Sequence, residues 1–336
     1  MSLVLIESFE ALNDIADKYV IENTGVKLEN SIVRTGSQSL ECGANDYCKF
    51  PIPDSATGVI GFGFYVGGAT TQSYIAMFSE TSLEQVSVEM DASNRLTVER
   101  GSTLLATSEK NLVFGKWYFI EIKWSIANSI AADSFIVRVN GEEWINLDAT
   151  TDTQSRATDT MNMVSLEGAV GTCYFDDLYI LDLTGPAPTN DFLGDCRVVC
   201  LDPDGNGSTN EFVGSDVDST DNYLHVDETS PDEDTSYVES STVGHEDLYT
   251  VDNLAVTPDT IFGVQTQAVV KKDDAGARTG KLLARVGGTT YEGAAFSPSE
   301  GAYLNVMELW ELNPDDSAAW EEADVNGAEF GIKVES

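Results

Sequence analysis

Hydrophobic and polar residues alternate along most of this chain. Tyr118, Ile120, Ile122, Trp124 and Ile126 fall on one parity, and Glu121, Lys123 and Ser125 fall on the other. A period of two over this length predicts a long strand, with one face toward a core and one mostly toward water. Phe135, Val137 and Val139 then alternate with Ser134 and Arg138, and Asn140-Gly141 follows. Both of those residues tolerate positive φ, so the pair predicts a tight type I′ hairpin with residues 142–147 as its return strand.

The same alternation predicts strands over residues 3–9, 31–42, 47–52, 59–66, 74–79, 85–91, 95–100, 103–106, 161–166 and 173–181. Gly, Asn, Asp and Ser punctuate them, as in a β-sandwich. Helix is scarce; residues 12–19 allow a turn or two. Residues 184–190, TGPAPTN, hold two prolines and a glycine, which disfavour helix and central strand and predict a fairly stiff linker. Beyond it, residues 195–201 read as a strand with Cys196, Val198 and Cys200 on one face. Residues 260–271, 281–286, 291–296, 303–312 and 329–334 read as further strands, with a helical turn near 320–325. The expected organisation is all-β: a sandwich over 1–183, a linker over 184–190, and a smaller acidic β-sandwich over 191–336.

Charge narrows the function. The 336 residues carry 18 bases and 57 acids, a net charge of −39. Up to Gly185 there are 26 acids and 11 bases, and the remainder has 31 and 7. Residues 202–252 hold 15 acids and no Lys or Arg, yet apolar residues such as Phe212, Tyr223, Leu248 and Tyr249 recur there. That pattern predicts a folded, loop-rich acidic region facing solvent. Such a polyanion repels nucleic acid. No run approaches the ~18 apolar residues of a membrane span, so no membrane insertion is expected. The start, MSLVLIESFE, lacks the basic region of a signal peptide, and export by the usual route is not expected. Five cysteines (Cys42, Cys48, Cys173, Cys196 and Cys200) in neither CxxC nor His-rich spacing predict no disulfide framework and no zinc site.

Two resemblances add to this reading. The strand–loop–strand–NG pattern of residues 115–147, with LIESFE (5–10), RTGSQSLEC (34–42) and CYFDDLYILDL (173–183), resembles concanavalin-A-like and laminin-G-like jelly rolls. That fold hosts lectins, hydrolases and purely structural domains. GDCRVVCLDPDGNGSTNEF, NYLHVDE, SYVESSTVGHEDLYTV and NPDDSAAWEEADVNGAEFGIKV, in that order across residues 191–334, resemble a domain of tailed-bacteriophage virion proteins that commonly follows a laminin-G-like domain. The resemblance implies a structural role and no catalytic residues.

Candidate chemistry is sparse. Asp202, Asp204 and Asn206, followed by Gly207, have the opening of a calcium loop, with oxygen ligands at alternate positions. Val213 stands where the closing Glu would be, and the flanks read as strands, so an Asp/Gly-rich turn fits better. Calcium is the only cofactor with any support. Asp176-Asp177 lies inside a predicted strand, which should bury one carboxylate and expose the other. His225 and His245 sit in the acidic region, away from any nucleophile motif. Trp144, Tyr74 and Tyr303 are aromatic candidates for sugar stacking, with packing the simpler reading for each.

The expected function is a non-enzymatic structural component of a tailed-phage particle, on its head or tail. It would be assembled in the host cytoplasm and released by lysis. Its partners would be other virion proteins, copies of itself and a host surface glycan. A carbohydrate-binding adhesin and a glycan-degrading enzyme on the same fold are the alternatives.

Overall fold

The structure is a computed structural model and describes residues 2–67, 73–80, 83–168 and 171–336. Strand accounts for 48% and helix for 4%. The fold is all-β, as the alternation predicts: a jelly-roll sandwich followed by a smaller antiparallel unit. The chain divides into one unit of Met1–Glu10 with Asp14–Val199, and a second of Ala11–Asn13 with Cys200–Ser336.

The first unit stacks an eight-stranded sheet on a seven-stranded one. The eight-stranded sheet runs Glu142–Asn146, Ile136–Val139, Trp117–Ser125, Thr57–Val66, Cys173–Leu181, Ser39–Cys42 and Val26–Glu29, with Leu3–Glu7 also pairing to Cys173–Leu181. The seven-stranded sheet runs Thr103–Asn111, Arg95–Arg100, Leu83–Met90, Ser73–Glu80, Met161–Glu167, Tyr47–Ser55 and Val20–Glu22. Trp124 from one sheet meets Phe78 from the other, with ring centroids 5.2 Å apart. The predicted hairpin is present, and Asn140 and Gly141 have φ of 51° and 78°. Gly58 lies flat under the Trp124 indole, where an added Cβ would fall 2.1 Å from a ring carbon.

Several expectations need correction. Ile120, Ile122, Trp124 and Ile126 are buried as predicted, but Glu121, on the opposite parity, is also buried. It is covered by residues 184–199, which belong with the first unit; the division falls after Val199 and not within 184–190. Residues 195–201 form no strand. Their backbone bonds to side chains: Val198 N–H donates to Asp177 Oδ1 at 2.8 Å and the Cys196 carbonyl accepts from the Arg34 guanidinium at 2.9 Å, while Gly194 N–H, just before them, donates to Glu121 Oε1 at 2.8 Å. Charged side chains take the place of a neighbouring strand. Val199 is exposed, and Cys196 and Cys200 are half-buried. Of residues 31–42, only Ser39–Cys42 is strand. The Glu10 carboxylate accepts from Ser37 N–H, Gln38 N–H and Ser37 Oγ, which folds that segment into a turn. Residues 12–19 yield only the 3-10 turn Ile15–Asp17.

In the second unit, Pro203–Asn210, Glu246–Val251, Glu329–Val334, Gly280–Val286 and Thr289–Phe296 form a five-stranded sheet. Val264–Val270 pairs with Leu304–Trp310. The core joins Val286, Trp320, Val325 and Ala328 to the half-buried Leu201, Ile261, Trp310 and Phe330. The acidic 202–252 region is folded, and one of its carboxylates, Asp247, is fully buried. Asp247 accepts from Phe212 N–H, Asn222 Nδ2 and Tyr249 O–H at 3.2, 2.8 and 2.6 Å, and so ties the loops of that region to the sheet.

Candidate functional site

The candidate site is the outer face of the seven-stranded sheet, the face turned away from the eight-stranded one. Leu83–Met90 builds its centre. Val86, Val88 and Met90 point into the core, so Ser87 and Glu89 point the other way. A bulge sets Ser79 opposite Glu84 and Phe78 opposite Val86, which brings Glu84 onto the outer face as well. Gln85, the residue in the bulge, is buried. Its amide oxygen accepts from Ser155 and Arg156 N–H, each at 2.9 Å, and its Nε2 donates to the Thr158 and Thr160 carbonyls. All four hydrogen-bonding positions of the amide are used to hold one rim loop.

Register adds the neighbours. Ser87 pairs with Glu99, and Glu89 pairs with Thr97. On the other side of the sheet, Ser165 pairs with Lys49, and Glu167 with Tyr47. Ser87 Oγ donates toward both Glu84 Oε1 and Glu89 Oε1, at 3.1 and 3.0 Å. Lys49 is not spare, because its Nζ bonds Glu22 and lies 5.1 Å from the Tyr47 ring centroid. The carboxyl of Glu167 is pushed up to about 7, by burial first and then by the charges of Glu89, Glu84 and Asp46. Glu84 is also raised, chiefly by burial. Two hydroxyls on this face, Thr97 Oγ1 and Ser165 Oγ, are buried with no hydrogen-bond partner among the described residues.

This electrostatic state gives a pH prediction. In the folded chain Glu167 holds its proton up to about pH 7, whereas in the unfolded chain it loses it near the ordinary carboxylate value of 4.5. The folded form binds the proton more tightly, so this group's contribution falls as pH rises from about 4.5 to 7 and is a net cost above that. Glu167→Gln should therefore raise Tm at pH 8, by on the order of 2–4 °C, and leave it little changed at pH 4.5. Thermal melts at the two pH values check this; an equal shift at both would show that the charge is not responsible.

Asp176 and Asp177 form a second carboxylate cluster, with a structural function. Both are fully buried, contrary to the expectation of one buried and one exposed. A bulge between Asp176 and Tyr179, with Asp177 at φ 51°, breaks the strand alternation. Asp176 Oδ2 accepts from Arg34 and Thr35 N–H at 2.8 and 3.1 Å. Asp177 pairs with the Arg34 guanidinium and accepts from Thr35 Oγ1 at 2.6 Å. Arg34 also pairs with Asp195 and donates to the Cys196 carbonyl, and its guanidinium carbon lies 4.9 Å from the Phe119 ring centroid. Burial and the neighbouring Asp177 charge push Asp176 up to about 7, against the pull of its backbone donors. With all three groups paired internally, this cluster fastens chain to sheet.

The other predicted residues do not converge. Asp202 accepts from Thr229 Oγ1, Asp204 from Thr250 Oγ1, and Asn206 from Tyr223 N–H. Asp204 and Asn206 lie in the bulged strand Pro203–Asn210 and not in the turn expected of this segment. No group of three or more His, Cys, Asp or Glu among the described residues is placed to hold a metal ion. Chelation with EDTA should leave Tm unchanged; a calcium-dependent rise lost in Asp204→Ala would contradict this.

His225 lies between Ser215 Oγ, 3.3 Å from Nδ1, and the exposed Asp216, 3.4 Å from Nε2. His245 Nδ1 is 3.0 Å from Ser240 Oγ. Among the described residues, no buried acid orients either ring. Tyr303 donates to Asp234, and Lys271 Nζ sits 4.6 Å from its ring centroid, which covers a face that a sugar would need. Trp144 is half-buried. The side chain of Tyr74 lies outside the described residues.

The sequence reading missed Glu84, Glu89, Glu99 and Glu167. The alternation in LEQVSVEM marks the polar face of one strand. It carries no signal for which polar residues of other strands lie beside it.

No protein-family model matches the chain, and no curated protein matches it. Among solved structures it is similar to Trypanosoma rangeli sialidase, at 12% identity and a TM-score of 0.38, over 54% of this chain and 30% of that one. It is also similar to domain 4 of AbnA, a GH43 extracellular arabinanase from Geobacillus stearothermophilus in complex with arabinotriose (12% identity, TM-score 0.37, 54% of this chain and 92% of that one). A third is the carbohydrate-binding module CBM66 from Bacillus subtilis (10% identity, TM-score 0.32, 47% and 96%). The chain thus spans about 30% of the sialidase's length. These neighbours are glycan-active or glycan-binding β-sandwich proteins. At this level of likeness no activity or ligand passes from them to this chain. The class the strand order defines is an antiparallel jelly-roll sandwich protein with a second β unit.

Proposed function

We propose that this chain is a non-enzymatic recognition protein whose jelly roll presents the outer face of its seven-stranded sheet to a carbohydrate. The observation that carries the reading is that the Ser165 and Thr97 hydroxyls, buried and without a hydrogen-bond partner among the described residues, share one sheet face with acceptor carboxylates. A polyhydroxylated ligand supplies both donors and acceptors to such a surface. In this reading the second unit serves attachment. The order of motifs across residues 191–334 supports a tailed-phage virion as the bearer, with other virion proteins and copies of the chain as neighbours. The high negative charge suits a protein kept soluble at high local concentration.

Two experiments test this. A glycan array probed with the full chain should give binding that Ser165→Ala weakens; an array with no positive glycan would remove the recognition role. Mass spectrometry of purified particles should find the chain, and its absence from them would remove the virion role. One observation favours a glycan-cleaving alternative: Glu167, pushed up to about 7, is in the range of a general acid and has Glu84 and Glu89 beside it. Turnover of a bound oligosaccharide, abolished in Glu167→Gln, would replace the non-enzymatic reading with that one.

A further inference from the structure

We propose that a row of aromatic side chains across the outer face of the eight-stranded sheet is a second binding site, and that it takes a neutral oligosaccharide. The site shares no residue with the seven-stranded face and does not depend on it. Register builds the row. Trp117 pairs with Tyr65, Tyr65 with Tyr174, Tyr174 with Glu41, and Glu41 with Lys27. The residues on the other parity of these strands, Phe64, Val66, Cys173, Phe175, Leu40 and Cys42, are buried in the sandwich core, so the row points away from it. The Tyr65 ring centroid lies 5.5 Å from that of Trp117 and 5.6 Å from that of Tyr174. All three aromatic residues are half-buried, so each keeps surface open to solvent. The Tyr65 and Tyr174 hydroxyls and the Trp117 indole N–H make no hydrogen bond among the described residues, and none of the three atoms is buried. A ligand therefore reaches both the rings and their polar tips without any part of the chain moving.

Cross-strand packing accounts for the ring contacts, and aliphatic side chains would serve it as well. Aromatic bodies that end in open polar tips suit a partner that is apolar on one side and wet on the other. A sugar ring is such a partner: its C–H face lies on the rings and its hydroxyls bond the tips. Charge and area select against other classes. Lys27, the only base in the row, is paired with Glu41 at 3.2 Å and Glu29 at 3.6 Å, and the chain has a net charge of −39. A single-stranded nucleic acid can stack its bases on such a row but needs a basic groove for its phosphates, and a uronate chain is repelled in the same way. A protein partner needs about 800 Å² of surface on each side. The row is only two strand spacings wide, about 10 Å. The next residues along the same face, Phe119 and Asp176, are buried, with the Arg34 guanidinium over the Phe119 ring. The open aromatic surface is thus one row, the footprint of a short oligosaccharide.

The test is an array of neutral and uronate oligosaccharides probed with the full chain, followed by calorimetric titration of the neutral sugar that binds best. Trp117→Ala should weaken that binding about tenfold. Tyr65→Phe keeps the ring and loses only the hydroxyl, so it should weaken binding severalfold with Tm unchanged, which separates binding from folding even where Trp117→Ala is destabilised. Ser165→Ala, on the seven-stranded sheet, should leave this binding as it is, and a single-stranded oligothymidylate should not bind. Neutral-sugar binding that Ser165→Ala weakens and both aromatic variants keep would overturn this site and leave the seven-stranded face standing. A uronate bound as tightly as the neutral sugar would overturn the ligand class. Oligothymidylate bound more tightly than any sugar, and lost in Trp117→Ala, would overturn the glycan assignment. No binding of any sugar would remove both this site and the recognition role proposed for the other sheet.

Discussion

Asp177→Ala should destabilise the first unit by about 3–5 kcal/mol, the cost of breaking a buried ion pair from one side. The carboxylate is fully buried and serves Arg34, Thr35 Oγ1 and Val198 N–H. Removing it leaves a half-buried guanidinium facing a cavity, with Asp195 as its remaining carboxylate. It also frees residues 195–199, which have no strand partner to hold them. Urea titration should show a lower midpoint, and hydrogen exchange should show early loss of protection at Val198. If protection at Val198 survived while global stability fell, Asp177 would be a core residue only and not the fastening of this segment. Arg34→Met tests the same cluster differently. It keeps an apolar stem of similar length but removes the guanidinium that lies over Phe119 and leaves Asp177 buried without its cation, so it should also be strongly destabilising.

Trp320→Ala should cost the second unit about 3–5 kcal/mol. Trp320 is 3% exposed and packs with Val286, Val325 and Ala328, and its indole N–H donates to the Trp310 carbonyl at 2.8 Å. Few residues in that unit are as deeply buried, so the core has little with which to fill the void. The measurement is hydrogen exchange over Gly280–Val286 and Glu329–Val334, the strands beside this core. A loss of protection there larger than that across Thr57–Val66 is expected. A uniform change along the chain, or none, would contradict the assignment of Trp320 as the centre of a separate core.

The contrast between these residues shows what could be read from the chain alone. Period-two alternation held wherever one strand face met apolar side chains, as with Ile120, Ile122 and Trp124, because hydrophobic burial acts on each strand by its own pattern. Asn140-Gly141 gave its turn because positive φ is a local property. The all-β class and most strand positions therefore followed from the sequence. Glu121, Asp176, Asp177 and Asp247 did not. Each is a charge on a position that reads as exposed or half-exposed, and each is buried because a segment distant in sequence supplies its partner. The 195–201 strand failed for the same reason: the Asp177 carboxylate and the Arg34 guanidinium, distant in sequence, bond the Val198 N–H and the Cys196 carbonyl that a ladder would have bonded. The acidic face was hidden too. Glu84, Glu99 and Glu167 come from three strands, and only the register of the seven-stranded sheet, with its bulge at Gln85, sets them on one face. Local pattern decided which backbone becomes strand, and long-range pairing decided which charges meet.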